Sequence, residues 1–248
     1  SRQQQGSAVT VVAGNQGRSQ LYARQGWMLE DESTLKLSVQ SRNGGASRQV
    51  ADGSRGEDSF HNATLDLRYD RDISAAEGLT IWAGALHSRV GDMWYSDIAP
   101  TPMGGVSIRP LNLEQAMDSL TLMGRYHWLT PGGVESSVLG SVSSSAVDML
   151  PYFSENRYTV DVEYQGRYAW GAHDVLWGIN FHATGDDIDT PSPNYLSLSQ
   201  SRFTQRNTGV FLHDDWTLVP DTWKLGLGAR WDGTNRGGSA LSPNASLL

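Results

Sequence analysis

The 248-residue chain has no cysteine, a formal net charge of −8 and a pI of about 5.1. Lack of cysteine excludes a disulfide scaffold and thiolate metal sites, and the acidic balance argues against nucleic acid as a partner. No apolar run approaches the roughly 20 residues of a transmembrane helix. A transmembrane strand needs only about 10 alternating residues, so a mean hydropathy of −0.42 does not exclude a membrane protein built of strands.

The opening Ser1-Arg2-Gln3-Gln4-Gln5 lacks the apolar core of a signal peptide, so an outer-membrane reading expects this chain to be a fragment of a longer protein. Residues 7–13 are β-rich and end at Asn15-Gln16-Gly17-Arg18; a second strand, 19–28, ends in Trp27-Met28. In 34–41, Leu35, Leu37 and Val39 oppose Lys36, Ser38 and Gln40, the period of two of a strand with one apolar face. Residues 42–60, polar and rich in glycine, read as a long loop. Alternation resumes over 61–69 and a further strand covers 79–87. Residues 88–117, with Pro100, Pro102 and Pro110, read as a second long irregular segment.

Strand 119–128 places Leu120, Leu122, Tyr126 and Trp128 on one face and leads into the turn Thr130-Pro131-Gly132-Gly133. After a serine-rich strand, 134–145, residues 146–156 read as a loop. The cleanest alternation follows, with Tyr158, Val160, Val162 and Tyr164 opposing Thr159, Asp161, Glu163 and Gln165. Strand 173–183 carries Val175, Trp177, Ile179 and Phe181 on one face, and 184–201 reads as an acidic, proline-bearing loop. The hairpin over 208–233 turns at Val219-Pro220-Asp221-Thr222, where a proline cannot serve a ladder, and sends Leu225, Leu227, Ala229 and Trp231 to one face. A shorter loop, 234–240, precedes a last strand over 241–248.

About twelve strands with no helix exceed the strand content of ordinary soluble domains. Short turns near 31, 74, 131, 171 and 220 alternate with longer loops near 50, 102, 150, 192 and 237. Trp27, Trp128, Trp170, Trp216 and Trp223 gather at the short turns with Tyr69, Tyr126 and Tyr168, where indole and phenol rings suit a headgroup layer. This asymmetry predicts an all-β, antiparallel up-and-down transmembrane β-barrel. A soluble all-β fold is the alternative, and it predicts both sheet faces packed.

The hairpin VFLHDDWTLVPDTWKLGLGARWDG, followed by LSPNASLL, resembles the barrel of TonB-dependent outer-membrane receptors. HDVLWGINFHATGDD and NATLDLRYDRDISAAEGLTIWAG also resemble strands of these barrels. The resemblance implies that residues 1–248 are a single partial barrel domain, truncated at both ends, from a barrel of 22 strands. The implied function is Gram-negative outer-membrane active transport. The implied partners are a ferric siderophore or other metal chelate, outer-membrane lipid, and a TonB-type coupling complex acting through a missing plug. Cobalamin and oligosaccharides are rival ligands. A passive porin and a soluble carbohydrate-binding or hydrolytic domain are the alternative functions.

No nucleophile elbow, P-loop or dinucleotide fingerprint is present, and no enzyme, catalytic residue or cofactor is expected. Asp214 and Asp215 are adjacent on a strand, point to opposite faces and cannot converge with His213 on a reaction. Asp186, Asp187 and Asp189 lack the spacing of a calcium loop and read as a solvated acidic loop; no metal site is expected. The candidate ligand-binding residues lie in the long loops. Arg42, Arg48 and Arg55 in the first would attract an anionic ferric chelate, Trp94 and Tyr95 in the second would meet an apolar or aromatic ligand, and Tyr152 and Phe153 sit in the third.

Overall fold

The computed structural model describes residues 5–29, 33–48, 53–100, 106–192 and 195–248, with the side chains of 93–100 and 106–112 outside that description. Twelve strands pair in sequence order into one antiparallel sheet. They are β1 (Gly6–Ala13), β2 (Ser19–Met28), β3 (Thr34–Gly44), β4 (Phe60–Ser74), β5 (Glu77–Pro100), β6 (Val106–Leu129), β7 (Glu135–Met149), β8 (Phe153–Trp170), β9 (His173–Asp189), β10 (Arg202–Val219), β11 (Trp223–Thr234) and β12 (Gly238–Leu247). No described helix is long and apolar enough to cross a membrane.

The register lines up like with like. Val39, Leu65, Ala85, Leu120, Ser144 and Tyr158 stand directly opposite one another across six strands. Three residues along, on the opposite face, Ser141, Asp161, His182 and Asn207 form a polar row. Side chains alternate with period two, so a one-residue slip would bring the charged row onto the apolar face; that cost holds the register.

Almost nothing apolar is buried. Leu113 is the one buried hydrophobic residue among those described, while Leu120 is 59% exposed and Val142, Val162 and Leu227 are nearly half exposed. The apolar face is exposed, as a barrel wall meeting lipid requires, and the packed second layer of a soluble sandwich is missing from the described residues. At the short-turn end of this face the aromatic rings touch in series. Tyr126 stacks on Trp128, which meets Tyr164, and Tyr168 stacks on Trp170. His173 is held between Trp170 and Trp216, with ring centroids 5.1 and 5.3 Å away. The turn after β10 closes by a Thr222 N–H to Val219 carbonyl bond of 3.1 Å, with Asp221 at a φ of 58°.

All five expected loops are shorter than their sequence suggests, three of them markedly. Residues 88–117 are largely strand, because β5 and β6 continue as a two-stranded ribbon beyond the Phe60–Val90 pair, where pairing with β4 stops, and the Ala116–Asp148 pair, where pairing with β7 stops. Residues 146–156 reduce to a tight turn between Met149 and Phe153. Asp186, Asp187 and Asp189 belong to β9, so the acidic loop over 184–201 begins only after Asp189. In these places backbone pairing runs past the stretch in which the sequence alternates.

Candidate functional site

The polar face differs from one side of the sheet to the other. Across β8–β11 its charges engage each other. Arg157 donates through Nε to Asp186, whose side chain is only 2% exposed, and its Nη2 lies 2.8 Å from Glu155. Asp161 and His182 are 2.6 Å apart, and His182 also meets the Thr184 hydroxyl at 2.9 Å. Arg167 forms a two-pronged bond to Asp174 at 2.8 and 2.6 Å, the geometry in which guanidinium and carboxylate match best. Arg230 joins Asp232 to Asn180, and Asp215 lies 2.9 Å from Lys224 and 3.1 Å from His213.

Asp214, on the apolar face, bonds instead to His173 at 2.7 Å. The adjacent carboxylates Asp214 and Asp215 thus serve opposite faces. Asp186 and Asp187 divide in the same way, between Arg157 and Arg202. No group of three His, Asp or Glu side chains among the described residues is placed to hold a metal ion.

At the loop end of β1–β4 the polar face opens into a cavity of about 620 Å³, lined among others by Arg18, Gln20, Arg42, Phe60 and Asn62. Arg42 is therefore not a loop residue. It lies in β3, opposite Gln20 of β2 and Asn62 of β4. Arg18, absent from the expected site, reaches the same cavity because the turn after β1 sets it on the polar face in step with Gln20. Nothing in local sequence marks it; cross-strand register brings it beside Arg42.

Arg48 and Arg55 do lie in the first long loop, exposed and joined by an isolated antiparallel bridge. This loop has internal structure. The Ser47 N–H donates to Asp58 at 2.6 Å, and Gly56 N–H donates to the Ser47 carbonyl at 2.7 Å. The Ser47 amide holds the Asp58 carboxyl below its ordinary pKa of 3.8. The loop is fastened on both sides, by Gly45 N–H to Gln16 carbonyl at 2.9 Å and by Gly91 N–H to Ser59 carbonyl at 2.8 Å.

Trp94 and Tyr95 belong to the ribbon extension of β5, opposite Leu111 and Pro110, and not to a loop; their side chains lie outside the described residues. Tyr152 sits in the β7–β8 turn with its ring edge against Tyr195, centroids 5.3 Å apart, and Phe153 begins β8 opposite Met149. The structure brings Arg42 together with Arg18, and Arg48 with Arg55, but Tyr152 joins the β9–β10 connection and not the arginine cavity.

Known structures share this architecture. The siderophore receptor PirA from Pseudomonas aeruginosa superposes with a TM-score of 0.66 at 13% identity, over 97% of this chain and 39% of its own. The ferric yersiniabactin uptake receptor FyuA from Yersinia pestis gives 0.69 at 10% identity, covering 99% and 43%. The copper transporter OprC gives 0.65 at 12% identity, covering 99% and 42%. At these identities the likeness is one of fold, and the chain spans about two fifths of each receptor's length. No curated protein matches at a significant level. Residues 14–248 match the family model for the TonB dependent receptor-like β-barrel, and the chain belongs to that family.

Proposed function

We propose that this chain is wall of a single barrel domain in the outer membrane of a Gram-negative bacterium, and that the protein actively imports a ferric siderophore or another metal chelate. The family match over residues 14–248 carries the reading. The siderophore receptors and the copper transporter among its fold relatives support a metal-bearing ligand. In this reading the short turns face the periplasm, the apolar face meets lipid, and the polar face lines the lumen. The loop end then opens outside the cell, where the ligand arrives, and a TonB-type complex supplies the energy for its release inward.

The test is uptake of radioiron chelates by iron-starved cells of the source bacterium, with and without the gene, before and after a protonophore. Saturable uptake that needs both the gene and the proton gradient is expected. Gene-dependent uptake indifferent to the protonophore would replace active transport with a passive channel.

A further inference from the structure

We propose that the cavity lined by Arg18 and Arg42 binds a small, multiply charged oxyanion, a carboxylate or phosphate group borne by the ligand. The inference deepens the transporter reading and rests on it for what the bound molecule is for. Its basis is an imbalance of charge. In a chain with a net charge of −8, the lining of this cavity includes two arginines and no Asp or Glu. Neither arginine forms an ion pair among the described residues, whereas Arg68, Arg157, Arg167, Arg202 and Arg230 all do.

Asp58, the nearby loop carboxylate, accepts the Ser47 amide. Arg48 and Arg55 stand opposite each other across a bridge, an arrangement that costs stability unless something anionic offsets it. The remaining lining suits an anion. Asn62 has its carbonyl oxygen occupied by the Ser88 hydroxyl at 2.6 Å, which leaves its NH₂ group as a donor. Gln20 adds a second amide. Phe60 lies so close over Gly44 that a Cβ there would overlap its ring, and this apolar wall lowers the local dielectric constant and strengthens a guanidinium–oxyanion pair. Guanidinium forks match carboxylate and phosphate geometry where an ammonium would not.

The test is isothermal titration of the full-length receptor that contains this chain, in detergent micelles, with citrate and with pyrophosphate, using a neutral ferric trihydroxamate for comparison. At least one of the two anions should bind, more weakly as salt rises. Arg18→Gln and Arg42→Gln should each weaken it about tenfold to hundredfold. Arg42→Lys should recover only part of the loss, and all three variants should keep the wild-type circular dichroism spectrum. Tighter binding of pyrophosphate with the same arginine dependence supports the site and makes its anion a phosphate. The proposal is overturned if neither anion binds, or if both Gln variants bind as the wild type does. Citrate or pyrophosphate binding through both arginines, in a protein whose deletion leaves chelate uptake unchanged, would remove the transport reading and leave this one standing.

Discussion

The two sides of the polar face use the same kinds of residue to opposite ends. On β8–β11, Arg157, Arg167 and Arg230 are each matched to a carboxylate within hydrogen-bond reach, so their fields largely cancel inside the wall. At the loop end of β1–β4, Arg18 and Arg42 share a cavity without any such match, and their fields extend into the space a ligand would enter. Pairing makes an electrically quiet surface, and unmatched cations leave a charged one. The difference shows that one strand pattern carries matched charge in one region and unmatched charge in another.

The sharpest way to break this contrast is to remove one arginine from each side. Arg157→Ala strands the buried Asp186 carboxylate and should cost about 3 kcal/mol, at the low end for a broken buried pair because Arg157 itself is half exposed. Arg42→Ala removes no pair and should stay within about 0.5 kcal/mol. Urea unfolding of both variants in lipid vesicles measures the difference. Equal effects would mean the ladder on β8–β11 contributes no more than an ordinary surface.

Comparable in size are changes on the apolar face. Val162, in the middle of β8 between Gly140 and Phe181, should cost about 2–4 kcal/mol as Val162→Arg. Leu227→Arg should cost measurably less, because Leu227 stands opposite Asp214, whose Oδ1 is buried without a hydrogen-bond partner. The same vesicle unfolding distinguishes them. If Leu227→Arg proves the more damaging, the orphan oxygen of Asp214 is not available to a guanidinium.

Strand positions were legible because lipid on one side and polar surface on the other force alternation, and all twelve strands appear where Leu35-Leu37-Val39, Val160-Val162 and Leu225-Leu227 place them. Loop lengths were not. Beyond Val90, β5 and β6 form a ladder only with each other, and the proline-bearing sequence there reads as irregular. Of the arginine cavity, Arg42 was legible as a cation near the loop end, though not as a strand residue. Arg18 was not, since its place beside Arg42 depends on the register of three strands and not on any neighbour in sequence.

A smaller effect concerns the fastening of the first loop to the ribbon. A Cβ on Gly91 would overlap the Glu57 carbonyl oxygen, and the Gly91 amide is bonded to Ser59. Gly91→Ala should therefore push residues 53–59 off the base of the ribbon at a cost of about 1–3 kcal/mol. Limited proteolysis would register this as faster cleavage within 53–59 with the barrel wall intact. Unchanged cleavage would show that the contact yields without releasing the loop.

The smallest expected effect is a matter of pH. Because the Ser47 amide favours the ionised form of Asp58, the folded carboxyl titrates below 3.8, and the unfolded one at about that value. The Asp58 contribution is thus fully present above pH 3.8 and is lost only as pH falls through the lower, folded value. Amide exchange at Ser47 and Gly56, corrected for its intrinsic pH dependence, should be flat between about pH 5 and 8. Asp58→Asn should speed it throughout that range, since the charge-assisted bond is replaced by a neutral one. A loss of protection within that range in the unmodified protein would show that Asp58 does not govern the loop.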